Sequence, residues 1–441
     1  MGTIILIIAA LMEVALVTYS LITKCYQIRI RSWTRIGTFA AFVIFSSVSI
    51  IQWGFRWYLL TAVLLIWAII GGVSLVRMKV DKKEFKPVRI VVKAIAMWLI
   101  VVIAITPALI LPQYKLPKVT GKYQVATAIF TYTDKNRIET FSKLGENREV
   151  SVEFWYPEDN NAKFPLVIFS HGAFGIKASN TSTFKELASN GYVVCSIDHP
   201  YHSLYTKDAD GNITTVDISF MQEVNNVNTN VYDEKTEFDI THKWLKLRTD
   251  DISFVLNTIT ENTKAKSPDG VYELIDTNKI GLFGHSLGGA ASAQLGRERR
   301  DIDAVIDIDG SLIGEQVECI NGKTIFNKEV YPLPILCIYT DAMMHAIATT
   351  ESVYPGIQLP EKLIPATNPN AFEVYFKGTN HMSVTDLPLV SPFLVNIICG
   401  TFKNNGGGQE ADKYYIIEKM NSSVLQFFNC YLKGEGSFHS S

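Results

Sequence analysis

Apolar and polar positions divide this chain into two parts with different rhythms. Up to residue 112, four nearly uncharged apolar runs follow one another, at about residues 3–23, 36–52, 57–76 and 90–111. Each approaches the ~20 residues that a helix needs to cross a bilayer. Soluble cores seldom hold four such runs in succession, so they predict a bundle of four transmembrane helices. Beyond residue 123 the pattern changes to short β-branched and aromatic runs separated by helical stretches. Residues 124–133 and 149–156 read as an antiparallel opening. Residues 165–172 and 191–198 read as buried parallel strands flanking a crossover helix at 183–189. A helix over 237–256, strands ending at Gly284, Asp309, Thr340 and Phe376, and a closing helix over 411–432 continue the alternation. Strand alternating with helix predicts an α/β fold, a mostly parallel sheet with helices on both faces. Residues 206–217 read as a hairpin turning at Asp210-Gly211, residues 220–230 as an Asn-rich surface loop, and those after Gly434 as a frayed tail.

Charge sharpens the division. The part up to Pro112 carries three acidic residues (Glu13, Asp81, Glu84) against twelve Lys and Arg, a net of +9, whereas the remainder carries 40 acidic and 29 basic residues, a net of −11. An acidic remainder argues against nucleic acid as a partner, because its binders present basic patches. Lys24, Arg29, Arg31 and Arg35 lie between the first and second runs. Arg77, Lys79, Lys82, Lys83, Lys86 and Arg89 lie between the third and fourth, and the turn between the second and third has only Arg56. The positive-inside rule makes both basic loops cytoplasmic. It predicts a multi-pass protein, placed in the plasma membrane, whose N-terminus and catalytic domain are extracytoplasmic. Trp53, Trp57 and Tyr58 suit an outer aromatic belt and Trp33 an inner one. The start, Met1-Gly2-Thr3, lacks the basic region of a signal peptide, so the first run reads as a span. Its Glu13 is either a functional intramembrane acid or a paired or protonated carboxyl between helices.

The predicted organisation is therefore a transmembrane region over 1–112, a Pro- and Lys-rich linker over 113–123, a catalytic domain over 124–433 and a tail over 434–441. Six cysteines without a C-x-x-C pair read as buried thiols, with a disulfide open at Cys319. The sequence Asp208-Ala-Asp-Gly-Asn lacks the later ligands of a calcium loop, and no metal or cofactor is called for.

The chemistry centres on Gly284-His285-Ser286-Leu287-Gly288, a G-x-S-x-G pattern between an apolar strand and an alanine-rich helix. Such an elbow exposes a serine at a strained turn and aims helix N–H groups at a developing oxyanion. A serine hydroxyl needs a base, and the base an orienting acid, in the chain order Ser, Asp or Glu, His. His381, just after the last strand, is the candidate base, because His345 falls in an insertion and His439 in the tail. Asp309 and Asp341 both end strands and both fit the acid, while Asp307 shares a face with Asp309 but lies inside its strand. The oxyanion donors fall to Leu287, after the nucleophile, and to Ala173 in the loop after the third strand, with Phe174 behind it. Met343, Met344, Leu359 and Leu363, in the insertion, either line an acyl pocket or simply pack.

Trp155-Tyr156-Pro157, Phe169-Ser170-His171-Gly172, the stretch 187–194, Gly284-His285-Ser286-Leu287-Gly288-Gly289 and Asp309 together resemble the α/β-hydrolase superfamily. Within it the chain from about Thr120 to Leu432 resembles the platelet-activating factor acetylhydrolase family. That resemblance implies an acid after the strand following the elbow, which favours Asp309. It also implies hydrolysis of short or oxidised sn-2 acyl esters of phospholipids without metal or calcium, by a serine esterase whose substrate is a lipid or small ester. The four-helix part has no counterpart in secreted members of that family. Two other readings remain at this level: a catalytically silent hydrolase-like membrane receptor or sensor, and a serine peptidase.

Overall fold

Helices α1 (Gly2–Thr23), α2 (Ile28–Ser47), α3 (Tyr58–Val76) and α4 (Pro87–Ile110) form the first of two units, Met1–Tyr114 and Lys115–Ser441, in a computed structural model that describes residues 2–77, 85–159, 162–266, 270–401 and 411–439. Among the described residues, Phe55–Val76 and Pro87–Ile110 are long and apolar enough to cross a membrane, and Leu11–Thr23 is a shorter apolar helix. The second predicted span is corrected. Its helix begins earlier, with Arg29 and Arg31 in its first turn, and ends at Ser47, so residues 48–52 form the following turn. Those arginines and the serines and threonines beside them lower its apolarity. Phe42, Trp57, Leu60, Leu64, Ala104 and Ile105 pack inside this unit. Ile66, Ile69 and Ile70 of α3 and Val92, Ile95 and Leu99 of α4 are exposed on its outside. Glu13 is buried and paired with Arg31 at 3.0 Å, the paired alternative for that carboxyl. Lys79, Asp81, Lys82, Lys83 and Glu84 lie outside the described residues.

The second unit opens with β1 (Val125–Ile138), β2 (Asn147–Pro157) and β3 (Phe164–Ser170), followed by α5 (Thr181–Ser189) and β4 (Val193–Ile197). A hairpin, β5 (Tyr205–Lys207) and β6 (Ile213–Thr215), turns at Gly211 with φ 94°, as the Asp-Gly pair predicts. Then come α6 (Ile218–Asn228), α7 (Glu234–Thr263), β7 (Ile275–His285), α8 (Leu287–Glu298) and β8 (Ala304–Ile308). A second hairpin, β9 (Gln316–Ile320) and β10 (Lys323–Phe326), leads to β11 (Ile335–Thr340), α9 (Asp341–Val353), α10 (Pro360–Thr367) and β12 (Ala371–Phe376). Helices α11 (Leu387–Val390), α12 (Pro392–Thr401) and α13 (Lys413–Phe428) complete it.

Eight strands form one sheet in the order β1-β2-β4-β3-β7-β8-β11-β12, parallel from β4 to β12 with β2 antiparallel to both its neighbours. Side chains alternate as the pleat requires. Leu166, Ile168, Leu282 and Val305 enter one buried cluster closed by α7 and α8, while Val167, Phe169, Phe283 and Ile306 enter another closed by α5 and α13. Each such side chain contributes roughly 1.5–3 kcal/mol on burial. A one-residue slip would reverse every one of them, so this two-sided burial fixes the register at the strand ends.

Two further readings are corrected here, the surface loop over 220–230 and the frayed tail. Residues 220–230 are mostly helix, not loop. The Asp217 carboxylate caps α6 by accepting from the Phe220 N–H at 2.9 Å, and Phe220 and Val224, four apart, bury one face against Trp244 and Leu287. The end of the connecting segment is tied to the second unit, Thr120 N–H donating to Glu186 at 2.9 Å and Tyr123 N–H to the Ser189 carbonyl at 3.0 Å. The tail does not fray at once, since Phe438 is buried against Phe372 and Phe427. Met343 and Leu359 lie in the packed core, the packing alternative for those residues. All six cysteines, Cys319 included, are free thiols.

Candidate active site

The strands deliver their functional residues at C-terminal ends, where the pleat stops and the chain turns. Ser286 is the single residue between β7 and α8 and adopts φ 54°, ψ −126°, a conformation that L side chains rarely take. Its N–H donates to the Ile308 carbonyl at 2.8 Å and its carbonyl accepts from Ala290 N–H at 3.0 Å, so both ends of the strained residue are held. The flanking glycines are steric necessities. A Cβ at 284 would lie 2.2 Å from backbone atoms of Gly288, and one at 288 would lie 2.0 Å from the Ser170 carbonyl oxygen.

Asp309 follows β8 directly, at φ 52°, with its N–H donating to the Ile338 carbonyl at 2.7 Å. Its buried carboxylate collects three donors: Thr340 N–H at 2.7 Å, Thr340 Oγ1–H at 2.8 Å and His381 Nδ1–H at 2.7 Å. That arrangement fixes the imidazole ring through Nδ1. Asp341 is placed differently. It accepts from Gly378 N–H at 2.9 Å and from the Tyr375 hydroxyl, and so anchors the start of the loop that carries His381. The loop is tightened further by Asn380 N–H donating to Ser383 Oγ at 2.9 Å.

His381 also touches the elbow. His285 Nε2–H donates to its carbonyl at 3.0 Å, and the two rings stand 4.6 Å apart by centroid. Burial, with the His381 ring beside it, pushes the His285 imidazole down to about 3, so it is a neutral donor at ordinary pH. Asp307 is fully buried inside β8, where a Cβ on Gly289 or Gly310 would run into its carboxyl oxygen. Burial, then the neighbouring Asp309 and Glu361 carboxylates, raises its pKa well above the ordinary value of an aspartate. His345 lies on α9, and His439 bonds with Ser437 at 3.0 Å in the tail.

Of the oxyanion candidates, Leu287 is the first residue of α8. The loop after β3 runs directly beside the serine, for a Cβ on Gly172 would sit 3.0 Å from Ser286 Cβ. Phe174, at φ 61°, spends its N–H on the His202 carbonyl at 3.1 Å, which leaves Ala173 as the loop candidate.

Sequence reasoning missed the polar layer behind this loop. His199 Nε2 meets Ser170 Oγ at 2.9 Å and its Nδ1–H donates to Asp251 at 2.9 Å, while Arg148 grips the Asp251 carboxylate with two bonds of 2.7 Å. Arg248, fully buried in α7, donates to the His171 carbonyl at 2.7 Å and the Gly172 carbonyl at 3.3 Å. The available signal was an arginine and an aspartate, Arg248 and Asp251, on the apolar-facing side of a long helix. Among the described residues, no group of three or more His, Cys, Asp or Glu is arranged to hold a metal ion.

Comparison with known proteins accords with this geometry. The chain is similar to platelet-activating factor acetylhydrolase of Bos taurus, 22% identical over 299 residues that cover 54% of this chain and 65% of that protein. It is 28% identical over 159 residues to a probable 1-alkyl-2-acetylglycerophosphocholine esterase of Arthroderma benhamiae, covering 36% of this chain and 34% of that protein. The chain thus spans less than two thirds of the length of these relatives. A solved ferulic acid esterase from Streptomyces cinnamoneus matches 73% of this chain and 94% of its own at a TM-score of 0.53 and 18% identity, a likeness of fold. The family model described as platelet-activating factor acetylhydrolase, isoform II, matches residues 156–439, from the end of β2 through the elbow and the His381 loop, and the chain belongs to that family.

Proposed function

We propose that this protein is a membrane-anchored serine esterase that cleaves short-chain or oxidised acyl esters of phospholipids through Ser286, His381 and Asp309. The observation that carries the reading is the 2.7 Å bond from His381 Nδ1 to the buried Asp309 carboxylate, on a loop joined to the strained serine's neighbour His285. In the proposed reaction His381 Nε2 takes the Ser286 proton as Oγ attacks the ester carbonyl. The carbonyl oxygen becomes an oxyanion held by the Leu287 and Ala173 N–H groups. The tetrahedral intermediate collapses, the alcohol leaves with the proton from His381, and an acyl-serine remains. A water molecule, deprotonated by His381, then attacks the acyl carbonyl and frees the acid and the serine. Asp309 holds the imidazole tautomer and stabilises its cation throughout. The names of the relatives favour a glycerophospholipid bearing a short acyl group.

The anchoring part of the proposal assigns residues 1–112 to the bilayer and 124–433 to catalysis. It is supported by the outward isoleucines and valines of α3 and α4, which would be costly in water. The basic residues between the first and second runs and between α3 and α4 favour an extracytoplasmic catalytic domain, which terminal reporter fusions would check. The substrate proposal is tested with the detergent-solubilised full-length chain, given 1-alkyl-2-acetylglycerophosphocholine and a long-chain phosphatidylcholine side by side. Faster turnover of the acetyl ester is expected, and no turnover of either, or of p-nitrophenyl acetate, would contradict it.

A further inference from the structure

We infer that Arg248 is a positioning residue that sets the oxyanion-binding loop, acting through the carbonyls of His171 and Gly172. The inference rests on the esterase reading and extends it to a residue on a different helix, outside the elbow and the triad. Arg248 lies in the middle of α7 and is the largest fully buried side chain among the described residues. A buried guanidinium is costly unless its donors are used. Here they are used on one short piece of backbone. Nη1 donates to the His171 carbonyl at 2.7 Å and Nη2 to the Gly172 carbonyl at 3.3 Å, while Nε reaches His202 Nδ1 at 3.4 Å.

The consequence follows from peptide geometry. Across a planar trans peptide the carbonyl and the next residue's N–H point in opposite directions. A guanidinium that draws the Gly172 carbonyl toward itself therefore turns the Ala173 N–H away from itself. His171 strengthens the hold, since its Nδ1–H donates to the same carbonyl at 2.6 Å and its Nε2 accepts from Ser203 at 2.8 Å. Gly175 is required beside it, because a Cβ there would lie 2.8 Å from His171 Cβ and 2.9 Å from its ring Nδ1. On its other side the loop touches Ser286, which a Cβ on Gly172 would crowd at 3.0 Å. The donor that the reaction needs is thus oriented from behind by a charge that never meets substrate. Charge-assisted bonds to the carbonyl also polarise the peptide, which makes its N–H a better donor.

A purely structural role for Arg248 would lower stability and leave the chemistry of the folded fraction alone. The test uses the full-length chain in detergent, as Arg248→Lys, which keeps the charge but not the fork, and Arg248→Met, which keeps most of the stem. Each is assayed with a short p-nitrophenyl ester and with its thionoester, in which sulfur replaces the carbonyl oxygen and gains little from an oxyanion hole. The expected result is a fall in kcat for the ester of about 10²-fold, the usual effect of losing one oxyanion donor. KM should stay within about threefold, and the thionoester should lose much less, so that the ester-to-thionoester ratio drops. Cooperatively melting variants whose kcat stays within about fivefold of the parent, or whose ester and thionoester rates fall together, would overturn the inference. Loss of the folded state in both variants would overturn it as well, since Arg248 would then be holding the fold rather than the loop. Failure of the underlying esterase reading looks different: a fluorophosphonate would label Ser286→Ala as well as the parent, whatever the Arg248 variants do.

Discussion

Two sets of serine, histidine and aspartate residues occur in the second unit, one joined throughout by hydrogen bonds and one placed where β7, β8 and β12 end, and they differ in what surrounds them rather than in residue type. Ser170, His199 and Asp251 are linked by bonds of 2.9 Å and 2.9 Å, and all three are buried. The other set pairs His381 with Asp309 at 2.7 Å beside Ser286, on loops at the ends of β7, β8 and β12. In the buried set the serine closes a regular strand, and the carboxylate is paired with Arg148 at 2.7 Å and with Arg137 at 2.9 Å. In the edge set the serine is at positive φ, the aspartate carboxylate has only neutral donors besides the histidine, and the imidazole is partly exposed. The same three residue types therefore brace a loop in one place, and in the other they occupy the positions to which the proposed function assigns acyl transfer. Access, backbone strain and the charge next to the aspartate make the difference.

The comparison can be broken most sharply by exchanging the serines. Ser286→Ala is expected to lower ester turnover by about 10⁶-fold, in the range seen when a serine hydrolase loses its nucleophile. Ser170→Ala should leave kcat within about fivefold while costing about 1–3 kcal/mol of stability, because His199 Nε2 loses its partner. Steady-state kinetics and thermal melts on the two variants decide it. Among the aspartates, Asp309→Asn should lower kcat by about 10⁴-fold through loss of the imidazole's orientation. Asp341→Asn, which only loosens the loop that carries His381, should cost less than about 10²-fold.

For the buried set the expected signature is stability, not rate. Asp251→Asn removes one of the two buried carboxylates that pair with Arg148, Glu139 remaining at 2.8 Å, and should cost about 1–3 kcal/mol in denaturant titration. A smaller effect comes from protons. Burial, then Arg248, pushes the His199 imidazole from its ordinary 6.5 down to about 3. Between these values the unfolded chain binds a proton there that the folded chain does not. Its contribution is fully present above pH 6.5 and is lost as pH falls toward 3. His199→Gln should therefore flatten the acid-side fall of stability by at most about 1.4 kcal/mol per pH unit over that window. An unchanged slope would mean that His199 is protonated in the folded chain.

Much of the catalytic unit was legible in the residue pattern. Short apolar runs bounded by turn residues marked β3, β4, β7, β8, β11 and β12, and Gly284-His285-Ser286-Leu287-Gly288 announced the elbow from sterics alone. The choice between Asp309 and Asp341 was not legible from spacing, since both end strands. It depends on which carboxylate the loop of His381 reaches, a contact across 72 residues. Helix α6 was read as loop because its asparagines masked the Phe220 and Val224 spacing. The Arg248 layer was hidden for another reason: a charged residue on a helix is ordinarily solvated, and only tertiary packing shows that this one faces inward. In the first unit, hydropathy marked the helices, but the second run shifted toward the arginines once α2 was seen to begin at Ile28.

Chemical reactivity should separate Ser286 from Ser170. Incubation of the detergent-solubilised chain with a fluorophosphonate, followed by peptide mass mapping, reports this directly. One adduct on Ser286, absent in Ser286→Ala and retained in Ser170→Ala, is the predicted result, whereas undiminished labelling of Ser286→Ala would contradict it.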